Sequence, residues 1–138
     1  MTLRNFLKIF AIGMAMVFAV ASHAEETLKL GFITVKSGPL KGPGEPAIAA
    51  VEIAVEEINA AGGVNGKKIV LEQFDSASDP KQASLAARTL AKDKGVLAII
   101  GPFSSGEAAV AFNVAEREKI VMISNASSAP GLTKDKKW

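Results

Sequence analysis

Residues 69–106 read IVLEQFDSASDPKQASLAARTLAKDKGVLAIIGPFSSG, and the fold follows from the way this stretch changes period. Ile69 through Phe74 is a mostly apolar run closed by the polar stretch Asp75-Ser76-Ala77-Ser78, which predicts a strand. Asp79-Pro80-Lys81-Gln82 then opens a helix, with an acid at the N-cap, proline at the first helical position and glutamine at the third. Two amides at the helix start find partners that way. The helix runs to Lys94, and Gly95 ends it. Val96 through Ile100 is short, wholly apolar and bounded by glycine on both sides, which favours a buried strand over a helix. Gly101-Pro102 breaks that strand. Ser104-Ser105-Gly106-Glu107 is a capping box of the S-x-x-E kind, opening a further helix over Ala108 through Glu118.

The same alternation extends in both directions. Upstream, Leu28 through Val35 is a mostly apolar strand that ends at Ser37-Gly38-Pro39. A loop rich in glycine and proline spans Ser37 to Pro46, with Pro46 in the first turn of a helix. In that helix Ile48, Val51, Val55 and Ile58 recur at helical spacing, while Glu52, Glu56 and Glu57 take the other face; Gly62-Gly63 stops it. Downstream, Ile120 through Ile123 is a fourth strand that delivers the chain into Ser124-Asn125-Ala126-Ser127-Ser128. Strands that alternate with helices and read as continuous apolar runs indicate a parallel sheet covered on both faces. The fold class is α/β, in the order βαβαβαβ.

Of 138 residues, 49% are hydrophobic and 22% charged, with no cysteine and a single histidine. Residues 1–24 form a leader: Arg4 and Lys8 without an acid, an apolar run from Ile9 to Val20, and Ser22-His23-Ala24 with small residues where a signal peptidase inspects. Twelve apolar residues reach only about 18 Å, short of a hydrocarbon core of roughly 30 Å. A cleaved signal peptide is therefore expected, with residues 25–138 working outside the cytoplasm. Past Ala24 there are 14 acids and 14 bases. That balance lacks the basic excess that nucleic acid or an anionic membrane surface calls for. Without cysteine, and with His23 in the leader, thiolate and imidazole chemistry are absent, so neither a metal site nor a cofactor nor catalysis is expected.

In sheets of this kind ligands sit beyond the carboxyl ends of the strands. Three loops leave those ends: Ser37 to Pro46, Phe103 to Glu107, and Ser124 to Ala129. All are rich in hydroxyls, glycine or proline and short on charge. Hydroxyls and unpaired first-turn amides suit a carboxylate or another small anion. If Ser104 caps its helix, Ser105 and the amides of Gly106 and Glu107 remain available; Glu107 is the reciprocal half of the capping box. Ser127 and Ser128 are either ligand contacts or turn residues. Asp75 ends a strand and Asp79 caps a helix, so the two are read as structural. Gly42-Pro43-Gly44-Glu45-Pro46-Ala47 matches a dinucleotide fingerprint in form only: Gly42 lies too far beyond the strand, and the prolines remove amides a pyrophosphate would need. No G-x-x-x-x-G-K-[ST] motif occurs. Asn125-Ala126-Ser127 is formally a sequon, which says little beyond a surface loop.

The leader followed by LKLGFITVKSGPLKGPG, by AVEEINAAGGVNGKKIVLEQFDSASDPKQASLAARTLAKDKGVLAIIGPFSS and by ISNASSAPGLT resembles the amino-terminal part of a periplasmic solute-binding protein, of the leucine/isoleucine/valine type that serves ABC transporters. The resemblance covers Glu25 to Trp138. It implies a two-lobed receptor of type I topology that closes about a hinge around a small solute and presents the closed form to a membrane permease. It implies that the amino-terminal lobe grips the carboxylate and ammonium of an amino acid through Ser105, with Ser104 beside it, and through Ala126, Ser127 and Ser128. The first loop often supplies an aromatic or apolar wall to the ligand side chain in this family; here it reads Leu40-Lys41-Gly42-Pro43-Gly44-Glu45, with no aromatic. Because the chain stops just after its fourth strand, the resemblance makes it a partial amino-terminal lobe with the second lobe absent. Such a half-sheet leaves a hydrophobic edge uncovered. A ligand-sensing domain of an exported or membrane signalling protein stays open as the alternative, since one fold hosts both.

Overall fold

The computed structural model describes residues 26–137. The leader and its cleavage site lie outside the described residues. Four strands and three helices alternate: β1 (Thr27–Thr34), α1 (Lys41–Ala60), β2 (Lys68–Asp75), α2 (Pro80–Lys92), β3 (Ala98–Ile100), α3 (Ser105–Glu118) and β4 (Val121–Ile123). All pairings are parallel, and the sheet order is β2-β1-β3-β4. Thr27 to Thr34 runs in register with Lys68 to Asp75, while Gly31 and Phe32 face Ile99 and Ile100. The α/β expectation holds, with strand order reversing between β1 and β3.

One face of the sheet carries the core. Ala83, Ala86, Ala87 and Leu90 recur on α2 at spacings of three and four, and meet Ala108, Ala111 and Ala115 of α3. Alanines on both helices let the backbones approach closely above Ile33, Ile99 and Met122. Successive strand side chains alternate between faces, so Phe32, fully buried, lies on the opposite face. There α1 covers the β1–β2 side, where its Glu52 accepts a hydrogen bond from the Gln73 amide at 3.1 Å and its Asn59 bonds the backbone of Ile69 on both sides. Only Gly44 and Ile48 of α1 are buried, and Ile58 of the expected stripe is exposed. The face above β4 is left open: Val121 is 45% and Ile123 66% exposed. Coverage of both faces is thus only partly realised.

The loop expected over Ser37 to Pro46 is shorter than its composition suggested. Helix α1 begins at Lys41, with Leu40 as N-cap. Two prolines within it are tolerated because Pro43 falls among the first-turn positions whose amides have no helical partner, leaving Pro46 alone to remove an internal bond. Gly44 carries the tight packing here: a Cβ there would stand 2.0 Å from Val35 Cγ2. In the decoy fingerprint this glycine therefore packs helix against strand and approaches no phosphate.

Candidate functional site

The strand order reverses between β1 and β3, which places the crevice between the loops that follow those strands. The loop after β1 is anchored to the end of β2. Asp75 Oδ1 accepts from the amides of Lys36 at 2.9 Å and Ala77 at 3.0 Å, and Oδ2 accepts from the Ser37 hydroxyl at 2.7 Å. Gly38 has φ +80°, and a Cβ there would fall 2.1 Å from the Ala77 carbonyl oxygen. Partial burial pushes the Asp75 carboxyl up, but the Ser37 hydroxyl and the amides of Ala77, Lys36 and Ser37 outweigh it and hold the group below its ordinary value. Asp79 caps α2 by accepting from the amides of Lys81 at 2.7 Å and Gln82 at 2.9 Å. Its own amide goes to the Ser76 carbonyl, not to the Gln82 side chain.

The loop after β3 is built on the capping box. The Ser104 hydroxyl accepts from the Glu107 amide at 3.3 Å and donates to Glu107 Oε2 at 2.6 Å, while the Ser104 amide donates to the same oxygen at 3.2 Å. Both hydrogens of Ser104 are therefore engaged inside the protein, and the Glu107 amide is taken too. The expectation that the Gly106 and Glu107 amides stay available is corrected by one position: those of Ser105 and Gly106 are the first-turn amides without an acceptor among the described residues. Glu107 is fully buried, and its Oε1 receives the hydroxyl of Ser76 at the end of β2.

The loop after β4 folds back onto the loop after β3. Ser124 donates to the Pro102 carbonyl at 2.7 Å and accepts from the Ser127 amide at 2.9 Å and, more loosely, the Ala126 amide at 3.4 Å. The Ser127 hydroxyl lies 2.6 Å from Ser124 Oγ and 3.3 Å from the Phe103 carbonyl. Ser127 therefore braces one loop against the other. The amides of Ser128 and Ala129 both donate to Ser105 Oγ at 3.2 Å. With both lone pairs of that hydroxyl taken, only its proton is left, and no acceptor for it lies among the described residues.

Six residues were expected at the site, and the structure divides them. Ser105 and Ser128 meet through the hydrogen bond between them, with Gly106 next to Ser105 in the first turn of α3; Ala126 lies in the loop after β4 with its amide on Ser124, while the hydroxyls of Ser104 and Ser127 are engaged in holding the loops. Ser124 and Ser76 were missed. Ser124 carries a signal in I-S-x-x-S-S, as the first hydroxyl after a strand; Ser76 carries none, because its partner is 31 residues away. The donors gathered here are neutral hydroxyl and amide groups, which suit an anion and not a cation. Among the described residues no group of three His, Cys, Asp or Glu could hold a metal ion. A cavity of about 510 Å³ is lined by Ser124, Ser127, Ser128 and Ala129 of the loop after β4, together with Phe112, Met122, Ile123, Pro130, Gly131, Leu132 and Thr133; Ser105 is not part of its wall.

A family model described as periplasmic binding protein matches residues 27–137. A Leu/Ile/Val-binding protein of Rhizobium johnstonii is 35% identical over 134 residues, which are 97% of this chain and 35% of that protein. The Leu/Ile/Val-binding protein of Escherichia coli K12 is 36% identical over 119 residues, 86% of this chain and 32% of that protein. The chain thus spans about a third of the length of the curated relatives it matches. Among solved structures, the branched-chain amino acid transporter substrate binding protein LivJ from Streptococcus pneumoniae, in complex with isoleucine, superposes with a TM-score of 0.78 at 35% identity, covering 80% of this chain and 32% of that one. The leucine binding protein LivK from Thermotoga maritima gives 0.74 at 28% identity, covering 80% and 31%.

Proposed function

Because the chain belongs to the periplasmic binding protein family, a family of solute-binding proteins and not of enzymes, we propose that it forms one wall of the ligand cleft of an exported receptor for branched-chain amino acids, which delivers its ligand to the permease of an ABC transporter. Ser105 is the carboxylate donor of that wall. The observation that carries this reading is the saturation of Ser105 Oγ by the amides of Ser128 and Ala129 at 3.2 Å. A hydroxyl that already accepts twice can only donate, so it recognises an acceptor such as a carboxylate and not an ammonium. Two inward amides also polarise the O–H bond and strengthen what it donates. The unpaired amides of Ser105 and Gly106 at the start of α3 add to the same anion preference. Ser104 and Ser127 contribute by holding the two loops, and Ala126 and Ser128 through their backbone.

The two-lobed plan of the family supplies an opposing wall, so a single wall is expected to bind weakly, with Kd on the order of millimolar. Residues 1–24 serve as the signal peptide that takes the chain to the periplasm, cleaved after Ala24. The reading is tested by titrating 15N-labelled protein with L-isoleucine, L-leucine and L-valine, with the corresponding amino alcohols as carboxylate-free controls. Amide shifts at Ser105, Gly106 and Ser128 with the acids alone are expected, and Ser105→Ala is expected to weaken them by about fivefold or more. Equal response to the amino alcohols, or unchanged affinity in Ser105→Ala, refutes the carboxylate assignment.

A further inference from the structure

Glu107 is the one carboxylate among the described residues that is fully buried. Burying an ionised carboxylate is costly unless it is paired or hydrogen-bonded on all sides, and no cation is paired with it among the described ion pairs. Three donors meet it instead: the Ser104 hydroxyl and amide on Oε2, and the Ser76 hydroxyl on Oε1. A plain capping box needs only the Ser104 amide on Oε2, with the Glu107 amide on Ser104 Oγ in return. The third donor reaches across to the end of β2, where the Ser76 amide bonds the Thr34 carbonyl at 2.9 Å and the Ser76 carbonyl accepts from Asp79. One side chain therefore ties the exits of β1 and β2 and the loop after β3 into a single unit.

We propose that Glu107 is a positioning residue for ligand recognition: by holding Ser104 against Ser76 it fixes the backbone that carries Ser105, and so sets where the Ser105 hydroxyl meets the Ser128 and Ala129 amides. The proposal rests on the reading of Ser105 as the carboxylate donor. Without the carboxylate, the Ser104 hydroxyl and amide lose their acceptor and Ser76 turns to the Thr34 carbonyl alone; the Ser124 and Ser127 braces then hold the loop by themselves, and the turn that carries Ser105 loses the tie that fixes it within 3.2 Å of those amides. A glutamine can replace it in one orientation. Its oxygen takes both Ser104 hydrogens, its amide donates to Ser76 Oγ, and Ser76 turns its own hydrogen to the Thr34 carbonyl, 2.9 Å away. Shape and geometry matter here, and the negative charge does not.

The test compares the protein with Glu107→Ala, Glu107→Gln and Val114→Ala, each titrated with L-isoleucine by NMR and each followed by amide hydrogen exchange without ligand. Val114 is buried on the same helix and touches none of the loops' hydrogen bonds, so it controls for lost stability alone. Glu107→Ala is expected to weaken L-isoleucine binding about tenfold and to speed exchange at the Ser128 and Ala129 amides by a similar factor. Glu107→Gln is expected to restore both to within about twofold, and Val114→Ala to leave both there. Binding and exchange in Glu107→Ala within twofold of the parent, or a Val114→Ala effect as large, overturns the proposal. If the parent shows no response to L-isoleucine, the carboxylate reading fails, and the ligand-free exchange still decides whether Glu107 positions Ser105. Should Glu107→Ala not fold, Ser76→Ala, which removes the Oε1 donor together with its contact to the Thr34 carbonyl, takes its place, with faster exchange at the same two amides expected and unchanged exchange overturning the claim.

Discussion

At Asp75 three hydrogen bonds from two loops converge on one carboxylate, and the consequence is a dependence of stability on pH. Its value in the folded protein lies below the ordinary one, so it favours the folded state above its unfolded pKa of about 3.9. That contribution is lost as pH falls through the lower folded value. Ser37→Ala deletes the side-chain donor and is expected to cost about 0.5–1.5 kcal/mol at pH 6 by urea unfolding. The cost shrinks as pH falls below the ordinary aspartate range and Asp75 takes up its proton in both proteins; a cost that stays constant through the acid titration contradicts this account. Local pairs such as Ser104 with Glu107 and Asp79 with the start of α2 were legible in the sequence, because a helix start uses partners two or three positions apart. Asp75 with Ser37 and Glu107 with Ser76 were not, since they are 38 and 31 residues apart, and only strand pairing brings them together.

Helix α3 ends on Lys119, which stands at φ 55° and ψ 44° in the left-handed region. There the Ile120 amide reaches back to the Ala115 carbonyl at 3.1 Å. Glycine is the residue this position favours, because a Cβ costs about 1 kcal/mol in that conformation. Lys119→Gly is therefore expected to raise stability by about 0.5 kcal/mol, after the added freedom of the unfolded chain is subtracted. Urea unfolding of the two proteins checks it, and a loss of stability contradicts it. Element type was readable throughout from hydrophobic period and punctuation, and each of the seven expected elements is present. The ends were less so: α1 starts at Lys41 because a first turn has no internal amide bonds for proline to break. Glycine and proline there mark a close-packed helix start, whereas composition alone reads as loop.

At the scale of the described residues as a whole, the side of the sheet above β4 is uncovered. Among them β4 is an edge strand, and Val121 and Ile123 on it are 45% and 66% exposed. An exposed apolar edge strand pairs readily with another chain. Ile123→Lys is expected to leave the fold intact, since the side chain already faces solvent, and to reduce self-association at about 100 μM as read by light scattering. Unchanged association in a folded variant places the sticky surface elsewhere. By itself the sequence determined the α/β class, the order of elements and the loops that carry the serines, because hydrophobic period, caps and breakers act within a few residues. Only the tertiary structure decided which of those serines remain available. A hydroxyl has one proton and two lone pairs, and whether they are filled depends on what the other loops bring. Ser104 and Ser127 are occupied by neighbours, and Ser105, accepting from a loop 23 and 24 residues on, keeps its proton.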